Sequence, residues 1–275
     1  MNKGLKVIIW LVVIALIVWG AWALFFNNGE EEIDTGEVDG IQTVQEGYLI
    51  MGTNAAFPPF EFRSDAEYAV DGVAGVDIEI AKAIADELGL TLRVVDMEFG
   101  ALILSVLNAE IDLAIAGMTI TEERAQSVDF SIPYYTAAQV IITAEGTEIA
   151  SAEDLYGLHV AAVINYTGDF IVSDMEEEGT VGNVLRATTP ANAVMELIAG
   201  RVDAVVLDSS TAAALVAQNE GLVIVEDSAA FSNENYGIAI RQGNTELLNA
   251  VNSVLRRMIA SGEIEEIVTR FTLAD

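Results

Sequence analysis

The chain contains no cysteine, which excludes disulfides, thiolate nucleophiles and Cys-ligated metals. Histidine occurs once, at His159, so a His-rich metal site has no material and a Ser-His-Asp triad has no spare residue. Lysine is confined to positions 3, 6 and 82, and 12 basic residues against 43 acidic ones give a formal net charge of -31. A surface this acidic repels phosphate backbones, so nucleic acid is excluded as a partner and a soluble monomer is expected. Tryptophan occurs only at Trp10, Trp19 and Trp22. No phosphate-binding loop, metal-ligand spacing or catalytic constellation is present, and no cofactor or enzymatic activity is expected.

What is present starts with a core: 52% hydrophobic composition over 275 residues supports one large domain or two small ones. The first segment is membrane-directed. A short basic start, MNKGLK, precedes about 20 uncharged residues from Val7 to Phe26. Residues 1–26 therefore read as a signal peptide, cleavable after Ala23, or as an uncleaved anchor. The apolar run continues past Ala23 and favours the anchor. Lys3 and Lys6 place that side in the cytoplasm and the rest outside it. Residues 27–45 are acidic and Gly-containing, an expected tether, with folded structure beginning near Glu46.

From there strands and helices alternate. YLIMGTN, TLRVVDM, IDLAIAG, AAQVIIT, HVAAVI, NVLRA, VDAVVLD, LVIV and YGIAI read as strands. GVDIEIAKAIADELGL is an amphipathic helix with Val76, Ile80, Ala83, Ile84 and Leu88 on one face and Gly89 as its stop. Helices also follow Gly168, the Thr189–Pro190 cap and Asp208, and two more end the chain. Such alternation argues α/β, with parallel sheets covered on both faces. A weak repeat supports two similar lobes: LNAEIDLAIAGMT aligns with IAGRVDAVVLDSS, Asp112 over Asp203 and Gly117 over Asp208. Ligands of open α/β sheets sit beyond the carboxyl ends of strands, so Gly117–Thr119 and Asp208–Ser210 should face one cleft.

Arg124 stands out. It sits in the first turn of a helix that Thr121 would cap, adding positive charge to a positive end. One reading is a guanidinium fork for a carboxylate, helped by Thr119 and the backbone after Gly117. The other is a local ion pair with Glu122, Glu123 or Asp129. Asp208 could bind an ammonium group or cap the helix that follows. One arginine and one carboxylate on facing lobes would suit a zwitterion. In TNAAFPPFEF, Phe57 is a candidate cleft wall and Asn54 a polar contact, while Phe60 and Phe62 read as core. Phe99 is a second candidate wall. Thr167 and Gly168, at a strand-to-helix turn, offer an anion contact or an ordinary cap.

These motifs resemble those of the extracellular solute-binding proteins, family 3, which bind polar amino acids for ABC importers. The match spans about residues 46 to 271, and DLAIAGMTITEERAQSVDFSIPYY is its most specific part. The resemblance implies a two-lobed type II periplasmic binding protein fold, each lobe a mostly parallel sheet flanked by helices. It places lobe 1 at 46–137 plus 234–275 and lobe 2 at 139–232, joined by crossovers near Tyr135–Gln139 and Ser232–Tyr236. It implies Thr119, Arg124 and Gly117 for the α-carboxylate, with Thr167 and Gly168 from the second lobe. It implies Asp208 for the α-ammonium, Phe57 and Phe99 as walls, and Asn54 for specificity.

Two departures bear on the ligand. Asn54 stands where many relatives carry an acid, and Ile164 where some carry a lysine. A less charged pocket favours a neutral polar ligand such as glutamine over arginine or lysine. The expected partners are that amino acid, an ABC permease and the membrane through the N-terminal segment. The competing functions are a sensor domain for a separate signalling partner and a cyclohexadienyl or arogenate dehydratase-like enzyme; the latter lacks a spare general acid.

Overall fold

The structure, a computed structural model, describes residues 37–38 and 40–272. The membrane-directed segment 1–26 and residues 27–36 of the tether lie outside the described residues. Among the described residues no helix is long and apolar enough to cross a membrane. Packed structure begins slightly before Glu46: Ile41 and Thr43 are buried, and Val44 N–H donates to Asp112 at 2.6 Å.

The first lobe is built from β1 (Tyr48–Thr53), α1 (Val76–Leu88), β2 (Thr91–Asp96), α2 (Leu102–Leu107), β3 (Leu113–Ala114), α3 (Glu122–Ala125) and β4 (Val128–Phe130). The chain then crosses on the long strand β5 (Tyr135–Ala144). The second lobe contains β6 (His159–Val163), α4 (Thr167–Glu177), β7 (Asn183–Ala187), α5 (Pro190–Ile198), β8 (Ala204–Asp208), α6 (Ser209–Gln218) and β9 (Leu222–Val225). Strand β10 (Asn233–Tyr236) returns, and β11 (Ala239–Arg241), α7 (Thr245–Ser261) and α8 (Glu263–Thr272) complete the first lobe.

Sheet order is β2-β1-β3-β11-β4 in one lobe and β7-β6-β8-β5-β9 in the other. Each has a parallel trio, β2-β1-β3 or β7-β6-β8, extended by antiparallel strands. The antiparallel members are the strands that carry the chain between lobes or follow its return. Between the sheets β5 and β10 pair as an antiparallel ribbon, Tyr135 opposite Tyr236 and Ala138 opposite Asn233. This is the two-lobed type II fold.

Helix α1 ends as its sequence dictates, with Gly89 in the left-handed conformation at φ 66°. It is buried more widely than a single stripe, because α7 and α8 cover it opposite the sheet. Ile78, Ala81 and Ala85 are therefore buried along with Val76, Ile80 and Ile84, while Ala83 and Leu88 are half-buried. Each fully buried isoleucine contributes about 1.5–3 kcal/mol. The helix can start so close to the preceding strand only because residue 75 is glycine: its φ is 134°, and a Cβ would lie 2.1 Å from the Phe60 carbonyl oxygen.

The repeat is real in three dimensions. Asp112 precedes β3 and accepts from the N–H of Ile50 in β1 at 2.6 Å. Asp203 precedes β8 and accepts from the N–H of His159, the first residue of β6, at 2.8 Å. In both lobes the aspartate ties the central strand to its parallel neighbour.

Candidate functional site

Strand β3 is short, but Ile115 still donates its N–H to the Gly52 carbonyl of β1 at 3.1 Å, and Ile115 and Ala116 remain buried as the chain runs to Gly117. Gly117 has φ 51°, and a Cβ there would meet the Phe57 ring at 2.5 Å, so only glycine fits this turn. Its N–H donates to the buried Asp77 carboxylate at 2.8 Å.

Thr121 caps α3 as expected, its hydroxyl accepting from the Arg124 N–H at 3.2 Å. The Arg124 side chain turns inward and is only 8% exposed. One Nη donates to the Thr119 carbonyl at 2.8 Å, and the other crosses the cleft to the Asn165 carbonyl at 3.1 Å. The guanidinium lies 5.2 Å from the Phe99 ring centre and 5.9 Å from that of Phe170. Among the described residues no carboxylate lies within ion-pairing distance of it, so the local pairs with Glu122, Glu123 or Asp129 do not form. Burial lowers its pKa, opposed by the more distant charges of Asp208, Glu234 and Glu123.

Asp208, 3% exposed, ends β8. Its side chain makes no capping bond to α6; instead it accepts from the Tyr236 hydroxyl at 2.6 Å. Burial raises its pKa, while hydrogen bonds from Tyr236 and Gln139 and the charge of Arg124 pull the other way. The first residue of α4 is Thr167, whose hydroxyl donates to that of Thr119 at 2.9 Å.

Seven of the nine expected residues, Phe57, Phe99, Gly117, Thr119, Arg124, Thr167 and Asp208, meet around one small cavity. Asn54 lines an adjoining cavity with Glu98 and Thr188. Its amide donates to the Met97 carbonyl at 2.8 Å, which turns its oxygen toward the Tyr166 hydroxyl, also 2.8 Å away. Gly168 does not line either cavity; it packs under the turn, where a Cβ would lie 2.8 Å from the Val206 carbonyl oxygen.

Sequence reasoning missed several neighbours. Tyr166 is buried, its ring 5.5 Å from Phe57 and 4.7 Å from Phe99, and with Phe99 it walls both cavities. The only signal was an aromatic residue inside a turn. Glu234, on β10, accepts from Thr119 Oγ1 at 3.0 Å and from Gln139 at 3.3 Å. Burial, with the charge of Asp208, pushes its pKa up to about 7. Nothing local in the sequence connects Glu234 to Thr119.

A two-lobed α/β protein whose lobes face each other across an aromatic-walled cleft, one buried cation and one buried anion within it, has the form of a solute-binding protein. Comparison with known proteins gives the family. Residues 49–274 match the bacterial extracellular solute-binding proteins, family 3, and the chain belongs to that family. It is a binding protein, not an enzyme. It is 32% identical over 221 residues to the arginine-binding extracellular protein ArtP of Bacillus subtilis, covering 80% of this chain and 84% of that one. It is also 32% identical over 268 residues to the ABC transporter glutamine-binding protein GlnH of the same species, covering 95% and 94%. Among solved structures, an ancestral arginine-binding protein bound to arginine superposes with a TM-score of 0.75 at 41% identity, covering 82% of this chain and 98% of that one. The relatives bind amino acids for ABC transport.

Proposed function

We propose that the protein captures a free α-amino acid in the cavity between its lobes and presents it to an ABC importer. The observation that carries this reading is the pairing of Arg124 with Asp208 around one cavity, each buried and neither matched by an opposite charge at contact distance. A buried charge is costly unless compensated, and a zwitterion compensates both at once. In this reading Arg124, Thr119, Thr167 and the backbone at Gly117 hold the carboxylate, and Gly168 serves by letting the Thr167 turn pack closely on Val206. Asp208 holds the ammonium, and Phe57 and Phe99 flank the ligand. Lobe 1 comprises 46–137 and 234–275, lobe 2 comprises 139–232, and the β5–β10 ribbon is the hinge between them. Residues 7–26 hold the monomer at the outer face of the membrane.

For the side chain, arginine is favoured over the neutral ligand that Asn54 and Ile164 suggest on their own. The cavity beyond Phe99 and Tyr166 offers acceptors: the second lone pair of the Asn54 oxygen, which already accepts from the Tyr166 hydroxyl, and the Glu98 carboxylate. A guanidinium carries donors only and brings a positive charge to that carboxylate, whereas the glutamine amide is neutral and turns only its two N–H donors to such a lining. The arginine-binding relatives support this choice, and the glutamine-binding relative keeps glutamine as the second candidate.

Arg124→Ala tests the site. Removing one partner of a buried charged pair costs about 2–5 kcal/mol of binding. Calorimetric titration of arginine should show that loss, with Arg124→Lys recovering only part of it. Unchanged affinity would remove Arg124 from the site.

A further inference from the structure

Beneath the cleft floor lie two acids that the binding chemistry does not use. Glu61 and Asp77 are both 0% exposed. They are brought together by Gly75, which lets the first turn of α1 press against the strand carrying Glu61; Asp77 N–H donates to the Phe60 carbonyl at 3.0 Å. No arginine or lysine pairs with either among the described residues. Neither Glu61 oxygen has a hydrogen-bond partner, nor does Asp77 Oδ1. Each carboxyl lies close enough to act on the ionisation of the other, and a proton held between them would supply the partner these oxygens lack. The second Asp77 oxygen accepts from Gly117 N–H at 2.8 Å and from the Tyr134 hydroxyl at 3.0 Å.

Two carboxylates in contact, buried without a cation, cannot both be charged, and a hydrogen bond between them needs a hydrogen that neither anion has. We propose that Glu61 and Asp77 hold one proton between them, and that this proton is a positioning element for ligand binding: it orients the Asp77 carboxylate that fixes the Gly117 turn. Glu61 is the acid and donor; Asp77 is the anion, serving three donors at once. The inference rests on the reading that Gly117 belongs to the ligand site.

The surroundings enforce this protonation. Burial first, then the negative charge of Asp77, raises the Glu61 pKa well above the ordinary carboxyl range, and Asp208 and Asp96 add to it. Burial raises Asp77 only to about 6, because Glu61, Gly117 and Tyr134 all donate to its charged form. The other titratable groups that face the pair are tyrosines: Tyr134 feels both acids and Tyr166 feels Glu61. None supplies positive charge. Ionising Glu61 at alkaline pH removes the shared hydrogen, sets two anions against each other and frees the Gly117 turn.

The test compares the parent protein with Glu61→Gln, whose amide supplies the bridging hydrogen covalently at the same net charge and leaves Asp77 as the anion. Infrared difference spectra without ligand at pH 8 should show an un-ionised carboxylic acid band in the parent that the variant loses. Arginine affinity is then measured from pH 7 upward, through the pH at which that band disappears from the parent. The variant should match the parent at pH 7. Above the ionisation that the spectra locate, the parent should weaken relative to the variant by about tenfold per pH unit. Loss of the ligand's own ammonium charge affects both alike and cancels. A parent spectrum unchanged by the substitution overturns the proposal, as do affinity profiles that stay parallel across the loss of the band. If neither protein binds arginine, the reading of the ligand has failed while the spectra still decide the proton.

Discussion

At the scale of single residues, a cation and an anion that face one cavity should be separable by ligands that lack one charge. Asp208→Asn should weaken arginine binding by about 2–5 kcal/mol yet leave the desamino analogue nearly unaffected. Equal losses for both, in a competition assay, would mean that Asp208 does not read the ammonium. Glu234 gives a second handle. Its pKa of about 7, raised above the ordinary 4.5, leaves it partly protonated at neutral pH. A cation arriving beside it favours the charged form, so binding should release protons near pH 7 and cease to do so well above it. Calorimetry in buffers of different ionisation enthalpy measures this, and Glu234→Gln should abolish most of the release. Proton uptake, or no buffer dependence, would contradict it. Arg124 and Thr121 were legible because cap and arginine lie within one turn. Glu234 was not, because it meets Thr119 only after the chain has passed through the whole second lobe.

At the scale of elements, period and punctuation located most strands and helices. NVLRA is a strand over the expected five residues, and Thr189 caps α5 through the Asn192 N–H at 3.2 Å with Pro190 in its first turn. IDLAIAG differs: a run that is apolar but for Asp112 suggests a full strand, but the strand is only Leu113 and Ala114. The rest is buried because it carries the chain to the site, and burial alone does not distinguish a strand from a packed exit. YGIAI splits likewise, Tyr236 ending the hinge ribbon and Ala239 opening β11. The repeated aspartates carry a prediction. Asp112 is buried and accepts from two backbone N–H groups, whereas Asp203 is exposed. Asp112→Ala should therefore cost about 1–3 kcal/mol for each donor left unsatisfied, well above the cost of Asp203→Ala, where water replaces the carboxylate. Denaturant unfolding of both variants checks the order; equal losses would contradict the burial argument.

At the scale of the whole molecule, two lobes share one cleft, and the side-chain hydrogen bonds that join them away from the β5–β10 ribbon include Arg124 to Asn165, Tyr166 to Asn54 and Thr167 to Thr119. The ribbon of β5 and β10 is the covalent path between the lobes, so closure about it would make or break all three bonds together. The net charge of -31 adds a field that draws cations toward the protein and weakens as salt shortens the Debye length to about 8 Å at physiological strength. The sequence pattern carried the two-lobe architecture because strand ends and the internal repeat are local features. The proposed ligand preference was less legible, since Asn54 and Glu98 line one cavity only once the fold brings them together. The most direct test of the account is a calorimetric titration of the purified protein with each of the twenty amino acids at low and physiological salt. The account predicts saturable one-to-one binding of arginine, tighter than glutamine and retained at physiological salt. Glutamine binding more tightly than arginine would overturn the side-chain assignment, and no binding by any of the twenty would contradict the amino-acid site itself.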